Sequence, residues 1–233
     1  MTAPDPAAYS GGPGSTDWDA WHADYADPTS ALSIRLAAVQ AGIRADLDRR
    51  AADGADPAAP LTVLSACAGD GRDILGVLAE PAYRPGPRNQ IAVSLLETDS
   101  RNLVRAERFC RDAGLAGVRL LDRDAGVSDS YLDVAPADLV LMCGVLGNLT
   151  DDGARRLVEF LPALCRPAAT LIWTRSRRAP DLTPALREWL AAEGFTELSF
   201  TAPPGVLGSV GVCRFDGAPK PLTAGRQLFQ FVR

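Results

Sequence analysis

The stretch Leu64-Ser65-Ala66-Cys67-Ala68-Gly69-Asp70-Gly71-Arg72-Asp73 follows the apolar run Leu61-Thr62-Val63. Gly69 and Gly71 are of the one residue type that enters positive φ freely and lets a ligand approach the backbone closely. A helix opening after such a turn offers unpaired N–H groups and the positive end of its dipole. Three more segments carry chemistry of a matching kind. Glu97 closes the run Ile91–Leu96, and a carboxylate in that place can accept hydrogen bonds from both vicinal hydroxyls of a ribose. Its distance from the glycine turn is roughly the ~20-plus residues of a nucleoside site. Asp122-Arg123-Asp124-Ala125 offers a carboxylate for an adenine amino group, and Cys143-Gly144-Val145-Leu146-Gly147-Asn148-Leu149 offers small and apolar residues to line a cleft. A tight turn without a ligand accounts for any one of these, and Asp99 reads more simply as a helix N-cap. The four segments follow four successive apolar runs in order, and that agreement carries the inference.

The elements that must position them alternate. Pro28-Thr29-Ser30 reads as a helix start, with Leu32, Leu36, Val39, Ile43 and Leu47 at helical spacing and Gly54 as the stop. Strands are predicted at 61–66, 91–96, 117–121, 137–143 and 169–174. Helices are predicted at 71–80, 100–113 and 151–165, with another opened by Thr183 as N-cap and Pro184 at its first position and closed by Gly194. Three β-like runs follow at 195–200, 209–215 and 226–232, and a short helix is expected from Asp17 to His22. The strands at 61, 91, 137 and 169 are continuous apolar runs, the pattern of a parallel sheet covered on both faces. The expected fold is a doubly wound α/β domain. It has a mostly parallel seven-stranded sheet, an antiparallel C-terminal edge and an N-terminal helical cap. Residues 1–16 are expected to be a disordered tail, 17–58 the cap or lid, and 59–233 the sheet domain, in one domain overall.

Composition narrows the chemistry. A net charge of −5 disfavours a nucleic-acid partner; the local exception is Arg175-Ser176-Arg177-Arg178. The 5 cysteines are dispersed and without CxxC spacing, and there is a single histidine, so no metal site is expected. Reduced thiols and the absence of a signal-like start or an apolar run of ~20 residues point to a cytoplasmic protein without a membrane span. The Ala, Arg, Asp, Gly and Pro bias fits a GC-rich bacterial genome.

With these residues in place, the chain resembles the class I, Rossmann-like S-adenosylmethionine-dependent methyltransferases over about residues 61–200. LSACAGDG stands where that family has an acidic residue followed by a G-x-G-x-G loop. LLETDSRNL resembles its second-strand acidic motif, DRDAG its adenine motif, and PADLVLMCGVLGNLT its fourth-strand motif. The resemblance implies S-adenosylmethionine as cofactor. The implied contacts are Ser65, Cys67, Ala68, Gly69, Asp70, Gly71 and Asp73 at the loop, Glu97 and Thr98 at the ribose, Asp124 and Ala125 at the adenine, and Cys143, Gly144 and Val145 beside the methionine. Ser65 replaces the usual acidic residue and Cys67 the first glycine, so the methionine amino group falls to carbonyls near Cys143 and Gly144 or to Asp70 or Asp73.

The acceptor end has fewer candidates. His22 stands among Trp18, Trp21 and Tyr25, in a segment that the resemblance makes a lid. His22 is a candidate base, Tyr25 a candidate contact, and Asn148 a candidate for positioning an acceptor polar group. An exposed or packing histidine is the simpler account of His22, and loop capping accounts for Asn148. Trp173 and Arg175 can face an acceptor, although core packing and a solvated cation are the simpler accounts. The expected function is methyl transfer to a small-molecule acceptor in bacterial specialised metabolism, with a homodimer admitted. The rivals are a non-catalytic adenosine-binding scaffold, an RNA or protein methyltransferase, and a nicotinamide oxidoreductase, which the lack of G-x-G-x-x-G disfavours.

Overall fold

The computed structural model describes Tyr25 and residues 27–54, 59–86 and 90–232. His22 and the helix expected at Asp17–His22 lie outside the described residues.

Helix α1 (Ala31–Ala52) starts at Ser30, whose hydroxyl accepts from the Ser33 N–H. It precedes β1 (Leu61–Ala66), α2 (Arg72–Leu78), β2 (Ile91–Glu97), α3 (Ser100–Ala113) and β3 (Val118–Asp122). Then come β4 (Ala137–Met142), α4 (Asp151–Phe160), β5 (Cys165–Ser176), α5 (Thr183–Ala192), β6 (Phe195–Thr201) and β7 (Gly208–Phe215). One seven-stranded sheet has the order β3-β2-β1-β4-β5-β7-β6. The pairs from β3 to β5 are parallel, and β7 runs antiparallel to both β5 and β6. This is the expected doubly wound fold with an antiparallel edge. The chain steps outward from β1 to β3 and returns to β4 beside β1, so the switch point lies at the carboxyl ends of β1 and β4.

Each face of the sheet carries its own core. Val140, Met142, Trp173 and Tyr131 pack on one side with α4 and α5. Leu75, Leu95, Leu139 and Ile43 pack on the other with α1 and α2. Burial of continuous apolar strands by both layers is the main driving force, at roughly 25 cal/mol per Å² of apolar surface. A polar cluster fixes the angle of α1. The buried Asp46 carboxylate accepts from Arg49 at 2.6 Å, Arg50 at 2.8 Å and the Thr170 hydroxyl of β5 at 2.6 Å. Removing one partner would leave a buried charge uncompensated, which is costly. Gln40 adds a bond from its amide to the Arg72 carbonyl at 3.0 Å, tying α1 to the start of α2.

Some boundaries differ from expectation. The helix expected at 151–165 stops at Phe160 and continues as a 3-10 turn, Leu161–Ala163. Strand β5 begins at Cys165 instead of 169, because Cys165 pairs with Ala137 ahead of an irregularity that absorbs Pro167 and Ala168 (φ 62°). Thr183 lies inside α5, with Leu182 as the cap. The run 226–232 is not a strand. It makes one bridge, Val127 with Gln227, and is otherwise an extended segment crossing the ends of other strands. Among the described residues, no helix is long and apolar enough to cross a membrane.

Candidate active site

The glycine turn leaves β1 through three residues at positive φ: Cys67 (51°), Gly69 (58°) and Gly71 (72°). Glycine holds this conformation without strain. Cys67, in the place of a glycine, costs roughly 1–2 kcal/mol for the left-handed backbone. At Gly71 a Cβ would lie 2.6 Å from Leu95 Cδ1 and 2.9 Å from Leu75 Cδ1, so the turn and the start of α2 sit directly on the core. Ala68 donates its N–H to the Leu96 carbonyl at 2.9 Å, which stitches the turn to β2. Ser65 lies buried in β1, in register with Leu95 and Leu141.

Glu97, at the end of β2, faces this turn. One carboxylate oxygen accepts the Gly69 N–H at 2.7 Å, and the other accepts the N–H groups of Thr98 (2.9 Å) and Asp99 (2.8 Å). Its orientation is therefore set by backbone before any ligand arrives. Asp99 caps α3 by accepting the Arg101 N–H at 2.9 Å, and Arg101 holds its carboxyl down at about 2.

After β3, Asp124 is exposed and its carboxylate accepts the Gly126 N–H at 2.7 Å. The buried Tyr131 hydroxyl donates to the Ala125 carbonyl at 2.7 Å, and the Ser130 hydroxyl donates to the Asp124 carbonyl at 2.5 Å. The turn after β3 is thus braced from behind by Ser130 and Tyr131. Burial pushes the Cys67 thiol far above its ordinary value, and the charges of Glu97 and Asp124 push it the same way, so the three groups share one neighbourhood.

After β4, Gly144 (φ 78°) donates its N–H to the Thr174 hydroxyl of β5 at 2.8 Å. Val145 is fully buried. The Asn148 amide donates to the Gly144 carbonyl at 2.6 Å, so its side chain braces its own turn. Arg175 donates to the Leu146 carbonyl and lies 3.6 Å from Asp151, which ties β5 to the same turn. Trp173 is fully buried in the core, so the simpler account of it holds.

A second charged group gathers at the start of α2. Asp73 hydrogen-bonds the Cys143 thiol. Burial raises the Asp73 carboxyl above its ordinary value; Arg35 opposes the shift and Asp70 adds to it. Burial drives the Cys143 thiol well upward, with the Asp73 charge adding to it, so this is a neutral thiol and not a nucleophile. Asp70 accepts from Arg72, whose guanidinium lies 4.0 Å from the centroid of the Tyr25 ring. Arg35 donates to the Tyr25 hydroxyl at 3.0 Å. Burial raises the Tyr25 phenol, which stays protonated and serves as a hydrogen-bond group. Arg35 is the residue that sequence reasoning passed over. Its signal was an arginine set between Leu32, Leu36 and Val39 on an otherwise apolar stripe.

The predicted residues thus fall into two groups: Cys67, Gly69, Glu97 and Asp124 in one, and Asp70, Asp73, Cys143 and Tyr25 in the other. No protein-family model matches the chain, and no curated protein matches it in sequence. Solved structures do match in fold. A magnesium protoporphyrin IX methyltransferase from Synechocystis, with bound S-adenosylmethionine, superposes with a TM-score of 0.61 at 17% identity over 86% of this chain and 91% of that one. A Burkholderia thailandensis 1,6-didemethyltoxoflavin N1-methyltransferase, with S-adenosylhomocysteine bound, gives 0.51 at 22% identity over 75% and 88%. The [4+2]-cyclase SpnF gives 0.51 at 15% over 70% and 76%. The chain has the class I, Rossmann-like S-adenosylmethionine-dependent methyltransferase fold.

Proposed function

We propose that the chain is an S-adenosylmethionine-dependent methyltransferase of a small-molecule acceptor, acting in the bacterial cytoplasm, with specialised metabolism as its setting. The observation that carries this reading is the Gly69 N–H aimed at the Glu97 carboxylate across a turn of three positive-φ residues, with Asp124 at the next strand end.

The residues present fit the cofactor. Glu97 would take the ribose hydroxyls and Asp124 the adenine amino group. Asp73 would take the methionine ammonium and Arg35 its carboxylate. Gly69 and Gly71 leave the backbone approachable. When bound, the sulfonium supplies an already activated methyl group. The chain's own residues then need to hold the acceptor in line, exclude water and, for a protonated acceptor, accept a proton. Val145 and Leu146, both buried in the core, back the Gly144 turn, and Asn148 fixes that turn beside the reacting centre. Tyr25, kept neutral, orients polar groups, and His22 is the residue of the lid segment able to receive a proton near neutral pH. The −5 net charge supports a small acceptor over RNA.

The [4+2]-cyclase among the neighbours supports a second reading, a protein that uses this fold without methyl transfer. Calorimetric titration with S-adenosylmethionine, S-adenosylhomocysteine and NADH separates the cases. Micromolar binding of the two sulfur nucleosides alone is expected, followed by turnover in an acceptor screen. Binding without turnover of any acceptor would favour the second reading, and binding of NADH would overturn both.

Asp73 gives a prediction with two signs. A carboxyl raised by burial favours the folded state while protonated and costs stability as pH rises through its folded value. Asp73→Asn is therefore expected to raise the thermal midpoint of the free protein at neutral pH, with the gain shrinking as pH falls. The same change removes the charge opposite the ammonium and is expected to weaken S-adenosylhomocysteine binding by about 1–3 kcal/mol. A variant that gains stability and binds normally would remove Asp73 from the site.

A further inference from the structure

The extended segment after β7 does something that the cofactor motifs do not require. It crosses the carboxyl edge of the sheet and bonds to two turns in succession. Gly225 donates its N–H to the Asp129 carboxylate at 2.7 Å. Arg226 and Ser128 exchange two bonds: the Arg226 N–H to the Ser128 hydroxyl at 3.0 Å, and the Ser128 N–H to the Arg226 carbonyl at 2.9 Å. The Gly126 carbonyl then accepts the Leu228 N–H at 2.7 Å and the Gln227 amide at 2.9 Å. The same Gln227 nitrogen donates to the Phe229 carbonyl at 2.6 Å. Further along the segment, the second turn is reached where Val232 donates its N–H to the Asn148 carbonyl at 2.9 Å. Leu228 and Phe229 are buried in the core that also holds Ala125, Tyr131 and Phe160.

We propose that residues 225–232 are a strap that sets the spacing between the Asp124–Gly126 turn and the Gly144–Asn148 turn, with Gln227 as its positioning residue. This rests on the functional reading above, in which the first turn meets the adenine and the second lies beside the methionine. Both of the Gln227 donor bonds come from one nitrogen, so this single amide locks the strap to the turn and to itself. The contact is close enough to need a glycine: a Cβ at Gly126 would sit 2.6 Å from the Phe229 carbonyl oxygen. The three carbonyls of the turn (Asp124, Ala125 and Gly126) are all engaged from the side of Ser130, Tyr131 and the strap. Asp124 is thereby held with its carboxylate outward. The strap touches no cofactor atom in this account; it acts through the two turns, which leave the sheet from different strands and have no ladder bond to each other.

Gln227→Leu keeps the volume and removes the donor, and Val232→Pro removes only the N–H that reaches Asn148. Three readouts are needed on the full chain: affinity for S-adenosylhomocysteine and for 5′-methylthioadenosine, the thermal midpoint, and amide exchange of the two turns. Gln227→Leu is expected to weaken both nucleosides by the same factor of about ten, because the loss falls on the adenosine end they share, and to speed exchange in both turns. Val232→Pro, at an exposed position, is expected to give a smaller loss that falls more on S-adenosylhomocysteine than on 5′-methylthioadenosine, with exchange faster mainly at 144–149. A fall in thermal midpoint with both affinities unchanged in folded protein would overturn the proposal, since a purely structural segment behaves so. If the parent protein binds neither nucleoside, the functional reading fails, and exchange alone decides the strap: faster exchange at 144–149 in Gln227→Leu supports it, and unchanged exchange there overturns it.

Discussion

Gly69→Val is expected to leave a folded protein with no measurable affinity for S-adenosylhomocysteine. Gly69 sits at φ 58° and gives its N–H to Glu97 at 2.7 Å. A β-branched residue in that region is a genuine outlier, because its two Cβ substituents meet the following carbonyl. The turn must rotate to relieve this, and the rotation takes the N–H away from Glu97. Two features of the candidate site are lost together: the open backbone of the turn, and the bond that aims the Glu97 carboxylate proposed to take the ribose. Gly69 is only partly buried and belongs to no strand or helix, so the fold should survive, as a circular-dichroism melt near that of the parent would show. Gly69→Asn separates the two causes, since asparagine enters the left-handed region readily. If Gly69→Asn binds well, backbone geometry is the decisive factor. If it fails as valine does, the space above the turn is. A Gly69→Val protein that binds like the parent would show that this turn cradles no cofactor.

The parts of this site that were legible in sequence are those encoded locally. The apolar runs ending at Ala66, Glu97, Asp122 and Met142 place four loops at one edge of a parallel sheet, because a strand buried on both faces has no polar alternation to misread. Ser30, Asp99 and Thr150 cap the helices they precede, each by a side-chain oxygen within three residues. Where the reading failed, the cause was non-local. Strand β5 continues back through Pro167 to Cys165 because Ala137 is there to pair with it, and a proline in the sequence argues against that extension. The run at 226–232 has strand composition, but its partners are the Gly126 and Asn148 carbonyls, and no ladder is available to it. Arg35 shows the same limit from the other side. Its helix was legible, but its approach to Tyr25 and Asp73 depends on how Asp46 and Gln40 fix that helix on the sheet. The four loops are written in the strands; the meeting of Arg35 with Tyr25 and Asp73 is written in packing.

Gly211→Ala is expected to be among the most destabilising single-methyl additions in the chain, and its effect should reach the site. Gly211 pairs with Trp173 across β7 and β5. A Cβ there would lie 2.3–2.6 Å from three atoms of the indole. Trp173 is fully buried, with Phe200 5.9 Å away between ring centroids, and its indole nitrogen has no hydrogen-bond partner among the described residues. The ring therefore has no open side to move into, and relief must come from the backbones of β5 and β7. Overpacking of this kind costs about 1–3 kcal/mol, and for a chain of this size each kcal/mol lowers the thermal midpoint by roughly 2–4 °C. The residue after Trp173 is Thr174, whose hydroxyl receives the Gly144 N–H at 2.8 Å. A shift of β5 large enough to free the indole would pull on the Gly144 turn, so under the proposed function affinity for S-adenosylhomocysteine should fall along with stability. Trp173→Leu in the same chain makes room for the new methyl. The double variant should then lose less stability than the sum of the two single changes, a coupling that a double-mutant cycle measures directly. Additive losses would mean that the indole and Gly211 do not contest the same space, and that the turn at Gly144 is insulated from the antiparallel edge.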